Sequence, residues 1–332
     1  MSRLVLNLVW RLRNPGCHTE KDTRMRLPHL TSLQGGRAIA ALMVVFYHLN
    51  IFILPKRLYA ETGEALHPVA NMGYSGVEFF FALSGFLMLY IHRRDFGAPQ
   101  KAYSYAIKRV SRIYPAYWLV LIPMVLAGAL IPAVGLGYMP GLGQLLPNLF
   151  LVPMEDTPIL QVSWTLQHEM LFYAIFGLAI LHRWVGLGIV EIGFGVRTVL
   201  FGASASAIIA ALAAMETAGR LSIPRSLRLV GDASYMLYLV HMPMMTAGVP
   251  VAKFLHLPEF LPPWIMALLF VIGCTIASVV AHLYLERPLV RYISRKFGAP
   301  KNLSGQLSLA DALRQAASSR LPVQHGPRTN NP

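Results

Sequence analysis

The chain has 332 residues, of which 55% are hydrophobic and only 13% charged, with a mean hydropathy of +0.51. That is too apolar for a soluble domain, and several runs approach the thickness of a bilayer's hydrocarbon, so the composition describes a polytopic helical membrane protein. A formal net charge of +14 would suggest nucleic acid in a soluble protein. Here the basic residues lie between apolar runs, so membrane orientation and anionic lipid account for them and no nucleic-acid partner is expected.

Residues 1–30 form a basic stretch broken by Asn14, Pro15 and Gly16; its apolar part, LVLNLVW, is too short and interrupted for a signal-peptide core. It reads as a cytoplasmic tail, with an interfacial helix as the alternative. Apolar runs follow at 38–54, 72–91, 113–132, 160–181, 198–215, 233–252 and 263–285. Seven crossings from an internal N-terminus would leave the basic segment ERPLVRYISRKFGAPK outside. If WVGLGIVEIGFGV (184–196) crosses as a short or tilted eighth segment, 25 of the 29 Lys and Arg residues fall on the inner side. The positive-inside rule therefore favours an all-α bundle of about eight crossings, within a range of seven to ten, with both termini cytoplasmic. Glu191 in that segment leaves a re-entrant path open. The expected organisation is a tail at 1–30, an integral-membrane domain at 31–297 and a polar, disordered cytoplasmic tail at 298–332. Cys17 and Cys274 are too differently placed for a disulfide, and neither has metal-ligand spacing, so no metal is expected.

Five motifs carry polar residues into or beside these runs. In GGRAIAALMVVFYHLN, Arg37 and His48 are separated by ten mostly apolar residues. Eleven positions are almost three α-helical turns, which puts both on one stripe about 16 Å apart along the axis. An ionisable residue inside a membrane helix is a functional candidate by default, against the plainer reading of a boundary arginine and a packed histidine. In GYSGVEFFFALSGFLMLY (73–90), Gly76, Ser84 and Gly85 would allow close helix approach, and Glu78 is interfacial or partnered. KRVSRIYPAYW (108–118) sets Arg109 and Arg112 three apart on one face, with Pro115 suited to a span's first turn. They are either orientation signals or forks for a phosphate. In SWTLQHEMLFY (163–173), His168 and Glu169 diverge by about 100°, and Glu169, costly in lipid, should face the bundle interior with Tyr173 one turn on. In LVGDASYMLYLVHMP (229–243), Asp232 and Ser234 can cap a helix, and His241 with Pro243 marks a polar spot or kink, more readily structural than catalytic.

Together and in this order, the five motifs resemble the membrane acyltransferases of acyltransferase family three, from about Leu33 to Arg291. WTLQHEMLFY looks most like the branch of exopolysaccharide-production acetyltransferases. The chain departs from the family in three places. Met170 stands where the usual SWSLSVEEQFY has a second Glu, so Glu169 alone carries over. The usual LDGLRG reads LQGGRA, with Gln34 in place of an acid. The 182–215 region is about one helical hairpin shorter than the family's common ten-helix plan.

The resemblance implies O-acyl transfer from a cytoplasmic acyl-CoA, acetyl-CoA foremost, to a hydroxyl of a polysaccharide or lipid-linked glycan at a bacterial inner membrane. Acyl-CoA would be a co-substrate, with no permanently bound cofactor, and proteins of a polysaccharide-assembly complex would be further partners. Arg37, Arg109 and Arg112 would hold the CoA phosphates. His48 would act as general base, a role imidazole suits near neutral pH, and Glu169 would orient an imidazole or the acceptor sugar. Two other classes remain at this stage. A proton-coupled transporter or flippase would also bury His and Glu beside Gly- and Pro-interrupted helices, though no inverted repeat is apparent. A non-catalytic membrane scaffold would require no CoA site.

Overall fold

The computed structural model describes residues 31–92, 95–130, 140–182, 207–209, 211–216 and 218–296; the two tails and the 184–196 segment lie outside the described residues. Among the described residues every regular element is helical and none is a strand. Helix α1 spans Thr31–His48 and continues into a π-helical stretch, Leu49–Leu58. A 3-10 turn, Pro68–Tyr74, leads into α2 (Ser75–His92), and α3 spans Ala102–Leu130. Then come α4 (Leu142–Leu149), α5 (Trp164–Leu181), α6 (Arg225–Asp232) and α7 (Ser234–Phe254). The last elements are α8 (Pro263–Ala281), a π turn at His282–Glu286 and α9 (Arg287–Lys296).

Four stretches, Thr31–Leu58, Pro99–Leu130, Gln161–Leu181 and Pro263–Ile293, are long and apolar enough to cross a membrane. Their faces divide as a lipid-immersed bundle requires. On α8, Leu268, Ile272, Ile276 and Val280 recur every four residues and are exposed, whereas Ala267, Val271, Cys274 and Ser278 are buried. On α3 the exposed row is Trp118, Ile122, Leu126 and Leu130, opposite buried Ile113, Tyr117 and Leu121. Large apolar side chains facing outward along a whole helix are stable against acyl chains and costly against water.

Helix α1 is central, packed against α2, α6 and α7. Small residues allow this: Ala38, Ala40 and Ala41 are all buried. Three glycines on its neighbours, Gly73, Gly76 and Gly231, touch its backbone. A Cβ on Gly76 would sit 2.3 Å from the Ala40 carbonyl oxygen, and one on Gly231 would sit 2.0 Å from that of Gln34. No side chain fits there without moving a helix. Gly85, by contrast, faces open space, so it is not the close-approach residue its motif suggests.

The winding change after His48 ends the Arg37–His48 stripe. In the π stretch Tyr59 N donates to Leu54 O at 2.8 Å, a five-residue step, and Pro55 within it supplies no N–H. Such wide turns interrupt the α-helical register. Just inside it, buried Asn50 accepts from Leu66 N at 2.7 Å and donates to Asn71 Oδ1 at 2.8 Å, pinning the 59–74 connection over the end of α1.

Three local expectations are corrected. Pro115 lies well inside α3, which starts at Ala102; neighbouring helices can supply what proline removes. The stretch left between the apolar runs 113–132 and 160–181 contains α4, whose buried Asn148 accepts from Ile159 N at 2.9 Å and whose carbonyls accept from Tyr117 and Trp118 of α3 at 2.8 Å. Asp232 closes α6 rather than capping α7, and no side chain caps α7.

Candidate active site

A cavity opens between α1, α2, α3, α5 and α7. Helical spacing builds each wall. Arg109 and Arg112 share a face of α3 three residues apart, Phe80 and Ser84 lie four apart on α2, and Glu169 and Tyr173 lie four apart on α5. Arg37 enters from α1, and Tyr235 and Tyr238 from α7. Four of the five sequence-derived site residues, Arg37, Arg109, Arg112 and Glu169, therefore line the same space.

The polar groups there are unevenly satisfied. Tyr173 OH donates to Glu169 Oε1, and Ser84 Oγ lies 3.2 Å from Tyr173 OH and 3.4 Å from Glu169 Oε1. Tyr105 OH holds the backbone of the same residue, donating to Tyr173 O at 3.0 Å. Arg109 stands over the rings of Tyr105 and Tyr173 at 5.7 and 5.6 Å, and its buried Nε has no partner. Arg37 has Arg112, Asp232, Glu286 and Glu169 as charged neighbours. In the cavity lining three guanidinium groups meet the one carboxylate of Glu169, and Arg109 Nε is left over as a donor, which is the composition of an anion site.

Behind Arg109 runs a relay that the sequence reading did not find. Arg109 Nη2 lies 3.3 Å from His92 Nε2, His92 Nδ1 donates to Asp95 Oδ2 at 2.9 Å, and Lys101 closes on Asp95 Oδ1. Burial pushes the Asp95 carboxyl up, but the hydrogen bonds from Lys101 and His92 outweigh it and hold the group below its ordinary value. The His92–Asp95 pair has an i,i+3 spacing, so the signal was present in the sequence, masked by the basic residues around it.

His48 lies apart from the cavity. Its Nδ1 is 2.9 Å from Val44 O and 3.3 Å from His241 Nε2, with the two rings 5.0 Å apart. Tyr238, which lines the cavity, has its ring 5.8 Å from that of His241, and its hydroxyl is 2.7 Å from Thr165 Oγ1. Phe80 and Tyr238, with rings 6.3 Å apart, stand between the arginine cavity and the histidine pair. Glu169 bonds Tyr173 and Ser84 rather than an imidazole. His168 is exposed against Trp164, pointing away from Glu169.

The acyltransferase domain family matches residues 30–196, half of the chain, and that stretch carries Arg37, His48, Arg109, Arg112 and Glu169. The chain belongs to this acyltransferase family. Two curated relatives match parts of it. One is the "Exopolysaccharide production protein ExoZ" of Rhizobium meliloti (strain 1021), 40% identical over 116 residues, which cover 32% of this chain and 34% of that protein. The other is the "Acyltransferase MdmB" of Streptomyces mycarofaciens, 31% identical over 164 residues, covering 46% of this chain and 40% of that protein. The matched stretches span about a third and two-fifths of those relatives' lengths. No solved structure matches the chain. Within this acyltransferase, the site residues that sequence reasoning missed or placed elsewhere are Tyr235, Tyr238, His92 and His241, all facing partners on other helices.

Proposed function

We propose that the protein is an integral-membrane O-acyltransferase that moves an acyl group from acyl-CoA, acetyl-CoA foremost, to a hydroxyl of a cell-surface or exported polysaccharide. The observation that carries this is the convergence of Arg37, Arg109 and Arg112 on one cavity, with His48 farther along the same α1 helix. The arginines bind the nucleotide phosphates of the donor. The pantetheine arm then runs toward His48, a path of the same order as the ~16 Å helical rise from Arg37. His48 removes the proton from the acceptor hydroxyl as its oxygen attacks the thioester carbonyl. The C–O bond forms, the C–S bond breaks, and the proton passes on to the departing thiolate. Glu169 has one oxygen engaged by Tyr173; its other oxygen accepts from an N–H or O–H of the bound ligand.

The basic residues Arg37, Arg109, Arg112 and Arg228 gather at one end of the bundle, where α6 meets the start of α1. By the positive-inside rule that end is the cytoplasmic one in this reading, which keeps about eight crossings, both termini inside and a bacterial inner-membrane location as parts of the proposal. The exopolysaccharide relative supports a glycan acceptor and a place beside polysaccharide-assembly proteins.

Calorimetry of CoA binding to the purified protein tests the donor site. Wild type should bind, and Arg109→Ala with Arg112→Ala should bind at least about tenfold more weakly, since each charge-assisted contact is worth roughly 1.5–3 kcal/mol. Unchanged affinity in the double variant moves the phosphate site elsewhere, and no CoA binding at all favours a carrier or scaffold. Glycan acylation in membranes holding correctly inserted His48→Ala tests the base; normal acylation removes that assignment.

A further inference from the structure

The buried histidine on α7 has no role in the mechanism above, yet its geometry defines the chemistry of His48. His241 is fully buried. Its Nδ1 lies 3.1 Å from Leu237 O, and its Nε2 lies 3.3 Å from His48 Nδ1. His48 Nδ1 is also 2.9 Å from Val44 O. A carbonyl oxygen can only accept, so each Nδ1 that faces one must carry a hydrogen. In neutral rings this leaves Nε2 of His241 as a lone pair directed at the Nδ1–H of His48. Any other choice of tautomers opposes a lone pair to a carbonyl oxygen in a water-poor interior, where an unmade bond is costly.

We propose that His241 is the positioning residue of the acyl-transfer site: it shares the Nδ1–H of His48 with Val44 O, holds the ring's orientation through this second acceptor, and keeps His48 Nε2 turned out as the proton acceptor. The proposal rests on the reading of His48 as base. Among the described residues no carboxylate hydrogen-bonds either ring, so a neutral imidazole fills the place that an acid occupies in a nucleophile–base–acid triad. His48 Nε2 has no hydrogen-bond partner among the described residues, as a group awaiting a substrate hydroxyl requires. When Nε2 takes that proton, His48 becomes an imidazolium whose Nδ1–H still points at two acceptors, Val44 O and His241 Nε2. The charge is held without a second proton transfer. Tyr238 and Cys274 complete the surroundings of His241: the Tyr238 ring is 5.8 Å away and Cys274 Sγ is 4.0 Å from the His241 carbonyl oxygen. Neither competes for Nε2.

Two variants separate the acceptor from the bulk. His241→Leu removes it, whereas His241→Gln returns an oxygen near the position of Nε2. With acyl-CoA and glycan acceptor, His241→Leu should lower kcat on the order of 100-fold while leaving KM for the donor within about threefold, and His241→Gln should recover to within about tenfold of wild type. Solid-state proton–nitrogen NMR of histidine-labelled protein gives the independent readout, with the His48 signals identified by their loss in His48→Gln. Wild type and His241→Gln should show a His48 Nδ1–H shared between two acceptors, with its proton signal moved downfield, and His241→Leu the smaller shift of a hydrogen held by Val44 O alone. A wild-type kcat in His241→Leu overturns the proposal, as does an unshifted His48 Nδ1–H signal there. Equal loss in both variants with donor binding intact also overturns it. Full activity in His48→Gln, with the Nδ1–H signals as described, would instead remove the base assignment and leave the histidine pair standing.

Discussion

Glu169 brings a negative charge into a cavity that otherwise presents guanidinium groups. Tyr173 and Ser84 engage one of its oxygens, so its orientation is set by α5 and α2 together. Removing the charge should have opposite effects on binding and turnover. Glu169→Gln makes the cavity more positive, so CoA should bind as tightly as to wild type or a few-fold tighter, while acyl transfer falls roughly 10- to 100-fold through lost orientation. Calorimetry alongside single-turnover acylation checks this; weaker CoA binding with unchanged turnover would make Glu169 part of the phosphate site instead. His48 shows why residue type alone underdetermines a role. Two histidines and one glutamate are available, but the imidazole of His48 meets His241 and not Glu169.

At the scale of elements, the ends of α2 and α3 are tied by His92, Asp95 and Lys101, and through His92 to Arg109 of the cavity. Asp95 titrates below its ordinary value of 3.8 in the folded protein. A carboxyl depressed by folding stabilises fully above its unfolded pKa and loses that contribution as pH falls through the folded one. Asp95→Asn should therefore lower Tm by a similar amount at pH 7 and pH 5, with the gap to wild type closing as pH falls below the ordinary carboxyl value of 3.8 and through the lowered folded one. A gap that widened in acid would contradict the relay. The same variant should weaken CoA binding a few-fold, because it frees His92 from Arg109.

The first turn of α1 has a second anchor. Glu216 accepts from Thr31 N and Ser32 N at 2.8 Å and from Thr31 Oγ1 at 2.6 Å. These are N–H groups that a helix start leaves without intrahelical partners. Glu216→Ala should cost about 1–2 kcal/mol, read as a lower Tm and faster exchange of the first α1 amides.

At the scale of the molecule, the cavity arginines lie toward the end of the bundle where α6 meets the start of α1. This placement makes a direct prediction about orientation. A cysteine at the exposed Glu259 position, between α7 and α8, should react with a membrane-impermeant maleimide in intact spheroplasts. A cysteine at exposed Ser222 should react only after lysis. The reverse pattern would put the arginine cavity on the face away from CoA and break the donor assignment. Gly231 tests whether the basic end is one rigid unit: Gly231→Ala must part α6 from α1 at the Gln34 carbonyl, and should reduce both Tm and CoA affinity.

The sequence by itself determined what local periodicity and hydropathy can encode. The apolar runs that fall within the described residues lie on helices; Arg109 with Arg112, and Glu169 with Tyr173, share faces because three and four residues make one turn. His168 diverges from Glu169 for the same reason. The start of α3 and helix α4 escaped, because the polar first half of α3 and the short, Pro-containing α4 carry little hydropathy signal. Only the tertiary structure decided which faces meet. Ser84 reaches Glu169 across 85 residues of chain, and His48 meets His241 across 193. Such pairings are fixed by where small residues such as Gly76 and Gly231 let backbones touch. No period in the sequence specifies which helix will fill the space they leave.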